Sequence, residues 1–129
     1  MTKYKICQVM AREEGWGIIG AIPTIRNNPL DLRHSPHSQH PGDPNAIGTI
    51  DTIDDGWADG DRQVEMWAAR GLTIADAIWL EAPPNVDGNH TAQYLAFVCE
   101  QMGMGQDTKM ADALLVPADP HYSTSGSFR

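Results

Sequence analysis

An α+β domain, mostly helical with one short antiparallel β-hairpin, is the fold class this sequence predicts, and three observations predict it. Apolar residues recur at helical spacing in four separate stretches. Two short runs, Leu30 to His34 and Ile47 to Ile53, carry β-branched or alternating apolar residues. Gly, Pro, Asn, His and Ser crowd the region between Gly15 and Asn45, which reads as loops around those strands.

The first helix runs from Lys5 to Glu14, with Ile6, Cys7, Val9 and Met10 on its apolar face, Thr2 as the expected cap, and Gly15 and Gly17 ending it. The Leu30 and Ile47 runs form the expected hairpin, joined by a His-rich connection. Asp54 or Asp55 begins the next helix, which carries Trp57, Val64, Met66 and Trp67 and stops before Gly71. Thr73 caps a short helix to about Leu80 with Ile74, Ala77 and Ile78 as its stripe. Ala82-Pro83-Pro84-Asn85 breaks the chain. Asn89 or Thr91 then caps a helix through Tyr94, Leu95, Val98 and Met102 to Gly103, and a last short helix covers Asp107 to Leu115. Trp57, Trp67 and Trp79 are expected to pack in the core.

A chain of 129 residues is one domain's worth, large enough to bury roughly two-thirds of the surface its unfolded form exposes. Residues 1–116 form that domain and 117–129, with Pro117, Pro120 and a Ser-Thr-Ser-Gly-Ser run, form a C-terminal tail. The formal charge of -8 argues against a nucleic-acid partner, because phosphate binding needs a Lys/Arg surface. The first ten residues lack the apolar run and cleavage site of a secretory signal, and no stretch is long and apolar enough for membrane insertion. Synthesis in the cytoplasm without a signal peptide is therefore expected. Cys7 and Cys99 read as two buried free thiols, with a single bridge between them as the alternative.

Glu14 lies four residues after Met10 and seven after Cys7, on a face with buried residues at the last turn of its helix. Glu13 follows Val9 and Ile6 in the same way, so periodicity does not choose between them. Desolvation beside Trp16 and the negative helix end would both push such a carboxyl toward its protonated form. A protonated Glu of this kind can act as general acid in glycoside cleavage; Asp31, Asp51 and Asp54 are candidates for a second carboxylate. Asn27 and Asn28 offer amides suited to N-acetyl and hydroxyl groups, and Tyr94 offers a flat apolar face for a sugar ring. His34, His37 and His40, with Asp43 near, resemble metal-ligand spacing. Pro36 and Pro41 interrupt any helix that would align them, so neither a metal site nor a cofactor is predicted. Ser35 and Ser38 lack the oxyanion-forming turn a nucleophile would need.

In order along the chain stand Glu14-Gly15-Trp16, Arg26-Asn27-Asn28-Pro29, Leu72-Thr73 with Ala77-Ile78, Trp79 with Ala82-Pro83-Pro84, and Asn89, Thr91 and Tyr94. Over about residues 5 to 115 this order resembles a family of phage-associated lysozyme-like proteins, related to muramidases and lytic transglycosylases. The resemblance implies a lysozyme-like fold, Glu14 as the catalytic acid, and peptidoglycan glycan strands as partner, cut between N-acetylmuramic acid and N-acetylglucosamine. Asn27, Asn28, Asp31, Asp51 and Tyr94 would contact the substrate. It further implies a monomeric endolysin acting in the cell wall or periplasm, released by a holin or carried on the virion. The alternative is a non-catalytic virion or glycan-binding protein that keeps the fold. This chain departs from the family pattern at Leu30, Asp31 and Leu32, where the family has Gly, Asn and Ile, and in the Leu80-Glu81 insertion after Trp79.

Overall fold

A computed structural model describes residues 1–84, 86 and 89–122. Asn85 of the predicted helix break, and the part of the predicted tail beyond 122, lie outside the described residues. Six helices follow one another: α1 (Lys5–Glu14), α2 (Ile22–Ile25), α3 (Ile53–Ala69), α4 (Ile74–Glu81), α5 (Thr91–Met102) and α6 (Met110–Ala113). None of them is long and apolar enough to cross a membrane.

The α+β class is overturned: no strand or sheet occurs among the described residues, and the expected hairpin is absent. What remains are isolated bridges, one of them Gln39 with Thr49, closed by two 2.8 Å hydrogen bonds. The physical cause is that the backbone groups of the second run go to different partners. Ile50 N–H donates to Arg26, Thr49 N–H to Gln39 and Gly48 N–H to Leu32. A ladder needs one partner strand, and this segment has three separate loops instead. Asn27 and Asp31 also take positive φ, +50° and +58°, which turns the chain sharply at both ends of the Asn-Asn-Pro-Leu segment.

Asn28 organises that turn. It is 1% exposed, its amide donates to the Leu32 and Gly48 carbonyls at 2.8 Å each, and its carbonyl accepts from Leu32 N–H at 2.9 Å. The loop then lies directly on α3, where Gly56 and Gly60 are one turn apart. A Cβ on Gly56 would sit 2.0 Å from the Asn27 carbonyl, and one on Gly60 would press on Leu30. The glycine pair therefore sets how closely the loop approaches the helix.

The helix starts follow local chemistry with some exchange of roles. Thr52 caps α3 by accepting from Asp55 N–H, and Thr73 and Asp76 form a reciprocal capping box on α4. Thr2 does not cap α1; its hydroxyl bonds Asp61 of α3 and accepts from Tyr4 N–H. Asn89 and Thr91 likewise do not cap α5. They tie the α4–α5 connection, to the Pro83 and Ala82 carbonyls.

Packing centres on Ile6, Met10, Leu30, Val64, Ile78 and Val98, all closed to solvent. Trp16 meets Trp57 edge to face at 5.6 Å, and Trp57 meets Tyr122 at 6.1 Å. Trp57 and Trp67 are core residues, whereas Trp79 is half-exposed. Cys7 and Cys99 are free thiols, Cys7 buried and Cys99 partly so. Residues 117–122 run beside α1: Pro117 bridges Tyr4, and Gln8 exchanges two bonds with the Asp119 backbone.

Candidate active site

Two helices end on carboxylic acids, and both ends open into one cleft. Glu14 is the last residue of α1, where Gly15 at φ +99° turns the chain away and sends Trp16 into the core. Glu81 is the last residue of α4. Asp31 reaches the same cleft from the loop pressed on α3, and the cavity they line measures about 460 Å3.

Burial dominates the electrostatics of this wall. Glu14 is pushed up to about 8, first by burial, then by the negative charges of Asp31 and Glu13, while the Tyr94 hydroxyl pulls it back down. Glu81 is driven up in the same direction by burial, then by Glu14 and Asp31. One of its carboxyl oxygens is sealed from solvent with no hydrogen-bond partner among the described residues. Glu14 thus keeps its proton through neutral pH. A carboxylic acid that keeps its proton there can deliver it to a leaving group.

Tyr94 does not line the cleft. Its ring is buried, so it offers no face to a sugar, and its hydroxyl stands against the Glu14 carboxyl outside regular hydrogen-bond geometry. Its hydroxyl lowers the Glu14 value against the effect of burial.

Of the residues expected to touch a substrate, only Asp31 joins Glu14 in the cleft. Asn28 is consumed by the turn it builds. Asn27 donates its amide to the Ile50 and Asp51 carbonyls at 3.1 and 3.2 Å, and Asp51 is exposed outside the cleft. The Asn27 and Asn28 side chains serve the loop because four backbone carbonyls with no strand partner, those of Leu32, Gly48, Ile50 and Asp51, take their donors from these amides. Asp54 faces the N-terminal ammonium at 3.6 Å, away from the site.

The three histidines do not converge on a common point. His37 binds Asp59 of α3 at 2.6 Å through Nδ1, while His34 and His40 stack at 4.9 Å and His40 bonds the Arg33 carbonyl. Asp59 is 2% exposed and also accepts from Ser35 Oγ at 2.5 Å and from His37 N–H at 2.9 Å. Ser35 and Ser38 share a 2.6 Å bond, so this cluster clasps the loop to α3.

Glu81 was hidden from sequence reasoning by the prolines that follow it, yet a signal existed. It falls seven residues after Ile74 and four after Ala77, on the buried stripe of its helix. A carboxyl on an apolar stripe, opening into a cleft, is a candidate functional group. Gln63 and Trp67 of α3 and its C-cap residue Arg70, with Arg33, His34 and Ile47 on the loop, also line the cavity. No family model, curated protein or solved structure matches the chain.

Proposed function

We propose that this chain is a phage or prophage glycosidase that cleaves the β-1,4 bond between N-acetylmuramic acid and N-acetylglucosamine in peptidoglycan, with Glu14 as general acid. The observation that carries this reading is a carboxyl group at a helix end, set in a cleft beside a second acidic side chain from a loop with positive φ, where burial pushes it toward its protonated form. The ordered Glu-Gly-Trp and Asn-Asn-Pro motifs support it. In the reaction Glu14 gives its proton to the bridging oxygen, which departs with the electron pair of the broken bond. Positive charge grows on the muramyl ring, and Asp31 is the carboxyl group placed to oppose it. Water, or the ring's own 6-hydroxyl, then closes the vacant carbon and returns a proton to Glu14.

The site of action under this reading is the bacterial wall, reached by holin-type release or on the virion. Turbidity loss of purified peptidoglycan tests it. Removing a general acid costs about 10²- to 10⁴-fold in rate, so Glu14→Gln should be inactive on the timescale of the wild type. Equal inactivity of both proteins would favour a non-catalytic glycan-binding or virion protein. Masses of released muropeptides assign the reaction, since 1,6-anhydro ends are about 18 Da lighter than hydrolysed ones.

A further inference from the structure

Part of the lining of the cleft that holds the carboxyls comes from α3 and its C-cap residue Arg70. Gln63, Trp67 and Arg70 stand at i, i+4 and i+7, so a single stripe of the helix looks into the cavity. The three differ in kind: an amide, an indole 4% exposed, and an exposed guanidinium. Arg70 has no ion-pair or side-chain hydrogen-bond partner among the described residues, whereas Arg33 across the cleft donates to the Asn45 carbonyl at 2.6 Å. An arginine suits the negative end of α3. That accounts for its tolerance at the position but not for its facing a cleft.

Charge makes the placement informative. The chain carries nine Lys and Arg against 17 Asp and Glu, so most of its surface repels anions. Two of those nine, Arg33 and Arg70, line this cavity together with His34 and the acids Glu14, Asp31 and Glu81. A ligand bearing one carboxylate would be turned by such a site. Its anionic edge goes to α3, and its neutral, scissile edge goes to Glu14.

We propose that Arg70, flanked by Gln63 and Trp67, is the specificity-determining residue of the cleft and takes a carboxylate carried on the glycan. The cleft thereby selects muramyl strands whose lactyl carboxylate is free, as on glycan stripped of its stem peptides, over a neutral N-acetylglucosamine polymer. The guanidinium fork matches a carboxylate in two parallel hydrogen bonds, which an amide cannot reproduce. This assignment rests on the glycosidase reading above.

Binding separates the two claims. The Glu14→Gln protein, which cannot turn over, is titrated by calorimetry with chitotetraose, with the alternating tetrasaccharide of N-acetylglucosamine and N-acetylmuramic acid, and with the same tetrasaccharide amidated at its lactyl groups. Expected is about tenfold tighter binding of the acid form than of the other two, the size of one charge-assisted contact, and a preference that shrinks as salt rises. Adding Arg70→Gln should erase the preference and leave chitotetraose affinity unchanged, which also shows the variant folded; Arg70→Lys should restore part of it. Equal affinity for all three sugars with Arg70 present, or an equal loss on every sugar in Arg70→Gln, overturns the role of Arg70 and leaves the glycosidase reading standing. No binding of any of the three sugars overturns both.

Discussion

Replacing Glu14 by Gln should make the protein more stable above neutral pH, and the size of the gain follows from the site. An unfolded Glu titrates near 4.5, while the folded acid holds its proton to about 8. The folded state therefore binds the proton more tightly, so stability from this group is intact below pH 4.5 and is lost as pH rises through 8. The interval of about 3.5 pH units corresponds to an upper figure of about 5 kcal/mol, at about 1.4 kcal/mol per unit. Gln has the same shape and no ionisation. Urea unfolding of both proteins from pH 4 to 9 isolates the effect, because every other group titrates in both and largely cancels in the difference. The variant should gain steadily on the wild type, reaching several kcal/mol by pH 9. A difference that stays flat across that range would refute the buried, protonated acid, and with it the general-acid role. Activity should decline along its alkaline limb near the same pH, since the ionised form has no proton to give.

Tyr94→Phe removes the hydroxyl that holds the Glu14 value down, so the alkaline limb of the activity profile should move above 8; a downward move would contradict the arrangement. Asn28→Ala leaves the Leu32 N–H and the Gly48 carbonyl without partners in a closed interior and takes one of two donors from the Leu32 carbonyl, and should cost about 2–4 kcal/mol in urea unfolding. Gly56→Ala improves helix propensity yet drives a methyl into the Asn27 carbonyl, so it should destabilise by more than about 2 kcal/mol and cut activity through Asp31; a neutral or stabilising result would show that the loop is not seated on α3. His37 is held above 6.5 by its bond to Asp59 and then by Asp59 and Asp55 charge, so its clasp is complete below pH 6.5 and weakens as pH rises through the raised value. Amide hydrogen exchange, corrected for its intrinsic pH dependence, should show residues 35–49 less protected at pH 9 than at pH 6, and Asp59→Asn should abolish that change.

The four longer helices were legible because a half-buried helix must repeat its apolar residues every three or four positions, and Ile6-Met10, Val64-Trp67, Ile74-Ile78 and Leu95-Val98 do so. The hairpin was misread because β-branched residues report a fit to an extended, half-buried surface rather than a ladder. Ile50 is indeed buried, but the hydrogen bonds that would define a strand depend on which segment lies alongside. That was decided by Asn28 and by two glycines 28 and 32 residues further on, Gly56 and Gly60. Asn27 and Asn28 carried the right residue types for sugar binding, yet the same amides are the strongest donors available to an unpaired loop, and the loop took them.

Glu14 and Glu81 share one further property that spacing alone does not reveal. Each sits at the carboxyl end of a helix, where unpaired carbonyls already concentrate negative charge. A folding sequence ordinarily places Lys or Arg there; α1 has Arg12 one position earlier than Glu13-Glu14, and α4 has no basic residue in its last turn at all. Bringing two such ends together, beside Asp31 and partly withdrawn from water, opposes ionisation by three routes, low local polarity, like charge and helix polarity, against which the Tyr94 hydroxyl pulls Glu14 the other way. The arrangement weakens the fold at neutral pH. Local rules broken together at a single cleft mark a site kept for reactivity rather than stability. Under the glycosidase reading, the proton those violations retain is the one that bond cleavage requires.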